Sequence, residues 1–250
     1  MLAALMLSLG ALAPAARADN PGYDRPGLGF TPAVLSAGAM TLEQGLPSWS
    51  QGQPDGVRSS QYTADSLLRL GLGNSLELQF GDSLYNHLRQ TGAGANLSSS
   101  GRGDSSLGLK LALPSPSTSL SWGLLGSVEF TDGARDFRNN QKQYLLGLAV
   151  SQQLNAGNSI GTYLEDVRAG GHDSYTAVIN HSHALTTTLT LYAEAAWQRE
   201  AGSASGTLGG GGLAWQVNPR VQLDAGFRRR LSGALPTWWA GLGASMYFGH

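Results

Sequence analysis

The chain has 250 residues, no cysteine and a formal net charge of −1 at neutral pH. The missing thiol excludes a disulfide framework, a thiolate metal site and a cysteine nucleophile, and the near-neutral charge leaves no basic footprint for nucleic acid. Thirty-five glycines and a charged fraction of 13% fit either a β-sandwich in water or a β-barrel in a membrane, and periodicity decides between them.

Residues 2–13 are an apolar run too short to span a bilayer, and the small-x-small triplet Ala16, Arg17, Ala18 follows. Together they read as a secretory signal over residues 1–18, with no Lys or Arg ahead of the apolar run. Residues 19–38 are expected to form a periplasmic strap or a small plug. Loss of Arg17 with the leader lowers the net charge by one.

From residue 39 onward, side chains alternate with period two, the signature of strands with two unlike faces. In residues 118–130 the even positions Leu120, Trp122, Leu124, Gly126, Val128 and Phe130 oppose Ser119, Ser121, Gly123, Leu125, Ser127 and Glu129. Leu107, Leu109, Leu111 and Leu113 likewise oppose Ser106, Gly108, Lys110 and Ala112. The predicted strands are 39–45, 61–70, 75–80, 104–113, 118–130, 143–154, 159–167, 175–185, 189–198, 206–217, 221–230 and 236–248. The first is short, and the eighth does not sort cleanly into two faces.

Short turn-prone breaks at 71–74, 114–117, 155–158, 186–188 and 218–220 alternate with longer polar connections at 46–60, 81–102, 131–142, 168–174, 199–205 and 231–235. Outer-membrane barrels alternate short periplasmic turns with longer extracellular loops in this way. The expected fold over residues 39–250 is therefore all-β, a transmembrane up-and-down antiparallel β-barrel of about 12 strands. Both barrel termini then lie on the periplasmic side, and the first strand can pair with the last to leave no free edge. The aromatic run Met246, Tyr247, Phe248 suits recognition by the barrel-insertion machinery.

If the apolar faces meet outer-membrane lipid, the alternate positions line the lumen: Glu43, Asp65, Arg69, Glu77, Lys110, Glu129, Glu194, Asp224 and Arg228. A mid-bilayer Arg or Lys facing lipid costs about 2–4 kcal/mol, which favours the inward assignment. These charges read either as a polar constriction that selects solutes or as ion pairs that fill a closed lumen. Their acidic excess predicts a mild preference for cations and neutral solutes. Trp239 and Tyr247 point inward as candidate contacts for an aromatic solute, whereas Trp122, Trp197 and Trp238 fall on outward positions as interface anchors.

The remaining motifs carry little chemistry. His172, Asp173 and Ser174 are adjacent, so their side chains diverge rather than converge into a triad. His181 and His183 share a face but lack a third ligand at a known spacing, so no metal and no cofactor is expected; a barrel hydrolase would depend on one of them. Arg102, Gly103 and Asp104 read as a loop ending in a strand. Gly209–Gly212 lacks the lysine of a phosphate-binding loop and reads as a smooth strip on which the N-terminal segment could pack.

Two stretches resemble a known family: residues 24–35 with 42–47, carrying Arg25, Pro26, Gly27 and Glu43, and residues 103–114, carrying Asp104 and Lys110. They are similar to an outer-membrane transporter family named for the meta-cleavage pathway of phenol degradation. The resemblance implies a channel and suggests aromatic compounds among its solutes. The expected function is thus non-enzymatic: an outer-membrane channel for passive uptake of small solutes. The alternative is a structural or surface-interaction barrel with a closed lumen.

Overall fold

The computed structural model describes residues 22–53, 56–92 and 94–249, so the expected leader at residues 1–18 lies outside the described residues. The described residues form thirteen strands and no α-helix. In chain order these are β1 Met40–Gly52, β2 Arg58–Gly71, β3 Leu76–Gly92, β4 Ala95–Gly101, β5 Ser105–Ala112, β6 Leu120–Glu129 and β7 Gln143–Asn155. They continue as β8 Asn158–Ala169, β9 His172–Ala184, β10 Leu189–Arg199, β11 Gly206–Asn218, β12 Val221–Gly233 and β13 Trp238–Phe248.

All pairings are antiparallel, and β1 pairs with β13 from Met40↔Phe248 to Gln51↔Trp238, which closes the sheet into a ring. β4 and β5 share one stave: the lower part of β3 pairs with β5 from Leu76↔Leu111 to Asp82↔Ser105, and its upper part pairs with β4 from Asn86↔Gly101 to Gly92↔Ala95. The barrel thus has twelve staves, as the alternation predicts. Closure satisfies the backbone polar groups that lipid cannot.

The faces are inverted relative to a protein in water. Leu146 and Leu242 are 61% and 55% exposed on the outside, while Arg69 and Lys110 are fully buried inside. A one-residue slip of β5 would exchange Leu109 for Lys110 on the lipid face. Register is therefore set by the surrounding hydrocarbon more than by an apolar core. Trp122, Trp215 and Phe248 ring the end with the short turns, and Tyr144, Tyr175, Trp197 and the Trp49–Trp238 pair, 5.2 Å between ring centroids, ring the other.

Strand lengths differ from the sequence expectation at the extracellular end. Residues 81–92 continue β3 and turn into β4, where a long loop is predicted, and β1 runs on past a register shift between Gly45 and Ser48. The β8–β9 connection is only residues 170–171. Above the bilayer a strand needs no apolar face, so the alternation that marks a strand fades although backbone pairing continues. The indistinct eighth predicted strand forms as β9, with Val178 buried inside and Ile179 exposed outside.

The connection between β6 and β7 is pinned over the mouth. The Asp104 carboxylate accepts from the backbone N–H groups of Gly133 at 2.8 Å and Asn139 at 2.6 Å. Asp132 accepts from the Ser105 N–H at 2.9 Å and hydroxyl at 2.8 Å, and these bonds hold its carboxyl well below the usual carboxylate range. Arg102 bridges Asp82 and Asp132, each at 3.0 Å. Arg102, Gly103 and Asp104 therefore form the break that joins two strands and ties down a loop.

Candidate functional site in the lumen

Residues 22–35 cross the inside of the ring and bond to staves on opposite walls. Three wall carboxylates hold this segment by its backbone. Glu43 accepts from the N–H groups of Asp24 at 3.1 Å and Arg25 at 2.9 Å, Glu194 from Leu28 at 2.9 Å, and Glu77 from Leu35 at 2.9 Å. Each bond satisfies a donor that the irregular segment cannot pair within itself. Carboxylate acceptors make them stronger than neutral bonds.

Charged side chains of the segment complete the network. The Lys110 ammonium lies 3.1 Å from both Asp24 and Glu77, and Arg69 lies 2.8 Å from Glu43 and 2.8 Å from Glu77. Gln79 donates to Asp24 at 3.0 Å and to Glu77 at 2.9 Å, and Arg69 donates to the Gly22 carbonyl at 2.9 Å. Across the lumen Arg25 pairs with Asp224 at 3.0 Å and donates to the Leu242 carbonyl at 3.1 Å. Arg228 pairs with Glu194, donates to the Pro26 carbonyl at 3.1 Å, and stacks 4.1 Å over the Trp239 ring. Charges this deep persist only when paired and hydrogen-bonded.

An apolar wall faces the other side of the segment. Phe30 meets Tyr163 edge to face at 5.5 Å, and Leu28, Phe30 and Leu208 pack on Ala149, Tyr163, Val178 and Ala196. Gly29 has a φ of +87°, and a Cβ there would run into the Tyr163 ring. At the far end a Cβ on Gly71 would strike the carbonyl oxygens of Leu35 and Ser36, where the segment turns into β1. Gly38 N–H to Gly71 O and Gly71 N–H to Ala39 O, both 2.9 Å, fix that turn.

Two cavities lie inside the barrel, and the segment lines the first of them. The inner one, about 210 Å³, lies between residues 23–32 and β7–β11, lined by Tyr163, Asn180, Ser182, Thr190 and Tyr192. The outer one, about 560 Å³, lies beneath the pinned loop and is lined by Asp65, Asp82, Asp104, Glu129, Asp136 and Arg138. Of the lumen residues expected from sequence, Glu43, Arg69, Glu77, Lys110, Glu194, Asp224 and Arg228 meet in the central network, whereas Asp65 and Glu129 line the outer cavity. Trp239 has one face covered by Arg228, and Tyr247 sits opposite Thr41 near the short-turn end.

Asp24 and Arg25, marked in the sequence only by the family resemblance, were not expected among the lumen charges, because they have no strand period to place them. Sequence reasoning passed over Tyr163 and Tyr192, although Tyr192 lies two residues before Glu194 and so shares its inward face. His181 and His183 point outward, beside Ile160 and Leu191, and His183 meets Asn158 at 2.8 Å. Gly212 carries the Tyr192 ring, and the segment lies over Gly243 through Arg25, so the smooth floor extends beyond the strip marked from sequence. Among the described residues no group of three or more His, Asp or Glu is placed to hold a metal ion.

Residues 23–248 match the family described as "Putative MetA-pathway of phenol degradation", and the chain belongs to that family. The outer membrane channel from Pseudomonas putida F1 is similar in structure, with a TM-score of 0.74 at 13% identity, covering 86% of this chain and 97% of that one. The KdgM porin aligns with a TM-score of 0.57 at 9% identity over 84% and 99% of the two chains. The translocator domain of the autotransporter NalP from Neisseria meningitidis gives 0.51 at 10% identity over 91% of each. No curated protein sequence matches the chain. At these identities the structural likeness is one of fold, and with the apolar outer band it places the barrel in the bacterial outer membrane.

Proposed function

From its family and from a charged lumen crossed by its own N-terminal segment, we propose that the protein is a channel for passive uptake of small solutes. Residues 22–35 form its constriction. The observation that carries this reading is the pair of lumen cavities, one lined by the segment itself and the other beneath the pinned loop. At Asp24, Arg69 and Lys110, where the proposed path is narrowest, every charge already has a partner. Solutes that neither demand a counter-ion nor exceed the width of a single ring are the ones such a path admits.

The inner cavity suits a planar solute, because Phe30, Tyr163 and Tyr192 offer ring faces and edges while Asn180, Ser182 and Thr190 offer hydrogen bonds. Aromatic compounds are accordingly the proposed solute class, in line with what the resemblance implies. The outer cavity concentrates cations over anions, since its lining holds five acids against one base. Phe248, outward at the end of the last strand, is the proposed signal for the barrel-insertion machinery.

Reversal potentials in a planar bilayer test the electrostatic half of this reading: a cation preference is expected, and an anion preference contradicts it. The closed-lumen alternative draws on the full burial of Arg69 and Lys110. It predicts no conductance at all from correctly folded protein.

A further inference from the structure

The outer face of the barrel carries its charge at one rim. The turns joining β2 to β3, β5 to β6, β7 to β8, β9 to β10 and β11 to β12 hold a single charged residue, Arg220. At the opposite ends of the strands, Lys142, Arg168, Arg199 and Arg229 are all exposed. Their parity puts them on the lipid-facing side: Arg199 follows Trp197, and Arg229 follows Phe227, by two residues each.

Each cation also has an aromatic residue of the same rim as its neighbour. In the strand register Arg168 faces Tyr144, Arg199 faces Tyr175 and Arg229 faces Trp238. Lys142 lies 5.5 Å from the centre of the Phe130 ring. Rings at the water boundary with cations next to them are what a protein presents to anionic headgroups, the ring lying among the acyl chain ends and the cation at phosphate height. Asp166 and Asp173 share this rim. Arg168 is 3.6 Å from Asp173 and keeps 63% of its side chain exposed, whereas Arg199 and Arg229 form no ion pair among the described residues.

From this one-sided belt we infer that the extracellular rim over β7–β12 docks a phosphate-bearing lipid of the outer leaflet, with Arg199 and Arg229 as its principal phosphate contacts and Arg168 assisting. The distribution supplies the choice of occupant. A soluble anion would need no ring beneath the cation, and a lipid site without leaflet preference would need cations at both rims. Docking there would orient the barrel in an asymmetric bilayer and leave the lumen untouched.

The test uses the full chain refolded in detergent and titrated with bis-phosphorylated lipid A, the same lipid stripped of both phosphates, and inorganic phosphate, with thermal unfolding followed by tryptophan fluorescence. The expected result is an upward shift of the unfolding midpoint with the phosphorylated lipid alone. The triple variant Arg168→Gln/Arg199→Gln/Arg229→Gln should bind it more weakly by on the order of a hundredfold, from about tenfold or less per arginine. Arg220→Gln, on the other rim, should bind as the parent does. Equal shifts with both lipids, a shift with inorganic phosphate alone, or an unchanged affinity in the triple variant would overturn the proposal. Should the triple variant fail to fold, Arg199→Gln/Arg229→Gln takes its place: weakened binding supports the proposal and unchanged binding overturns it.

Discussion

Arg69 is where the residue-level account is most exposed to test. It touches Glu43 and Glu77 and lies 3.6 Å from Asp24, with no solvent on its side chain. Replacing it by Met keeps most of the volume and strands carboxylates that have only Lys110 and amide donors left. Arg69→Met should therefore destabilise the barrel by about 3–5 kcal/mol, read from denaturant unfolding of protein refolded into lipid vesicles. Asp132 gives a pH signature outside the membrane. Its folded-state pKa is depressed by the Ser105 donors, so its contribution is in place above the unfolded value of about 4 and is lost as pH falls below that value toward the depressed one. Hydrogen exchange at the Ser105 amide should stay slow at mildly acidic pH in the parent and be faster at the same pH in Asp132→Ala, which leaves that N–H without its side-chain acceptor.

Among the elements, the segment of residues 22–35 and the strands were unequally legible from sequence. The transmembrane parts of the strands were readable because lipid outside and charge inside enforce the strictest alternation a chain can carry, and Leu107 to Lys110 displays it over four residues. The extracellular parts of β1, β3 and β4 were not, because water on both sides imposes no alternation on residues such as Asn96 to Ser100. Most of the lumen lining followed from parity, but its pairing did not. Which acid meets which base depends on Asp24 and Arg25, held in an irregular segment by contacts up to 217 residues away. Gly29→Val tests how the segment is seated, since it forces a β-branched side chain into positive φ and against Tyr163. The variant should remain a heat-modifiable barrel yet conduct ions better than the parent, and an unchanged conductance would mean that the segment does not limit the path.

At the scale of the whole molecule, charge organises what apolar packing organises in a protein in water. Acids and bases at the level of the segment nearly cancel: Asp24, Glu43, Glu77, Glu194 and Asp224 face Arg25, Arg69, Lys110 and Arg228. The unbalanced acids sit in the outer cavity, so ion preference belongs to the mouth and resistance to the constriction. Asp65→Asn/Glu129→Gln should then weaken cation preference in reversal-potential measurements while leaving the stability of the central network unchanged.

Liposome swelling tests the central claim, that a path for small solutes runs past the N-terminal segment. Proteoliposomes holding the folded parent should swell in small neutral solutes at rates that fall with solute size, and Asp24→Asn/Arg25→Gln, which removes the segment's ion pairs to both walls and leaves its backbone bonds, should swell several-fold faster. Absence of solute-dependent swelling in both proteins, each verified as a folded barrel, would contradict the account.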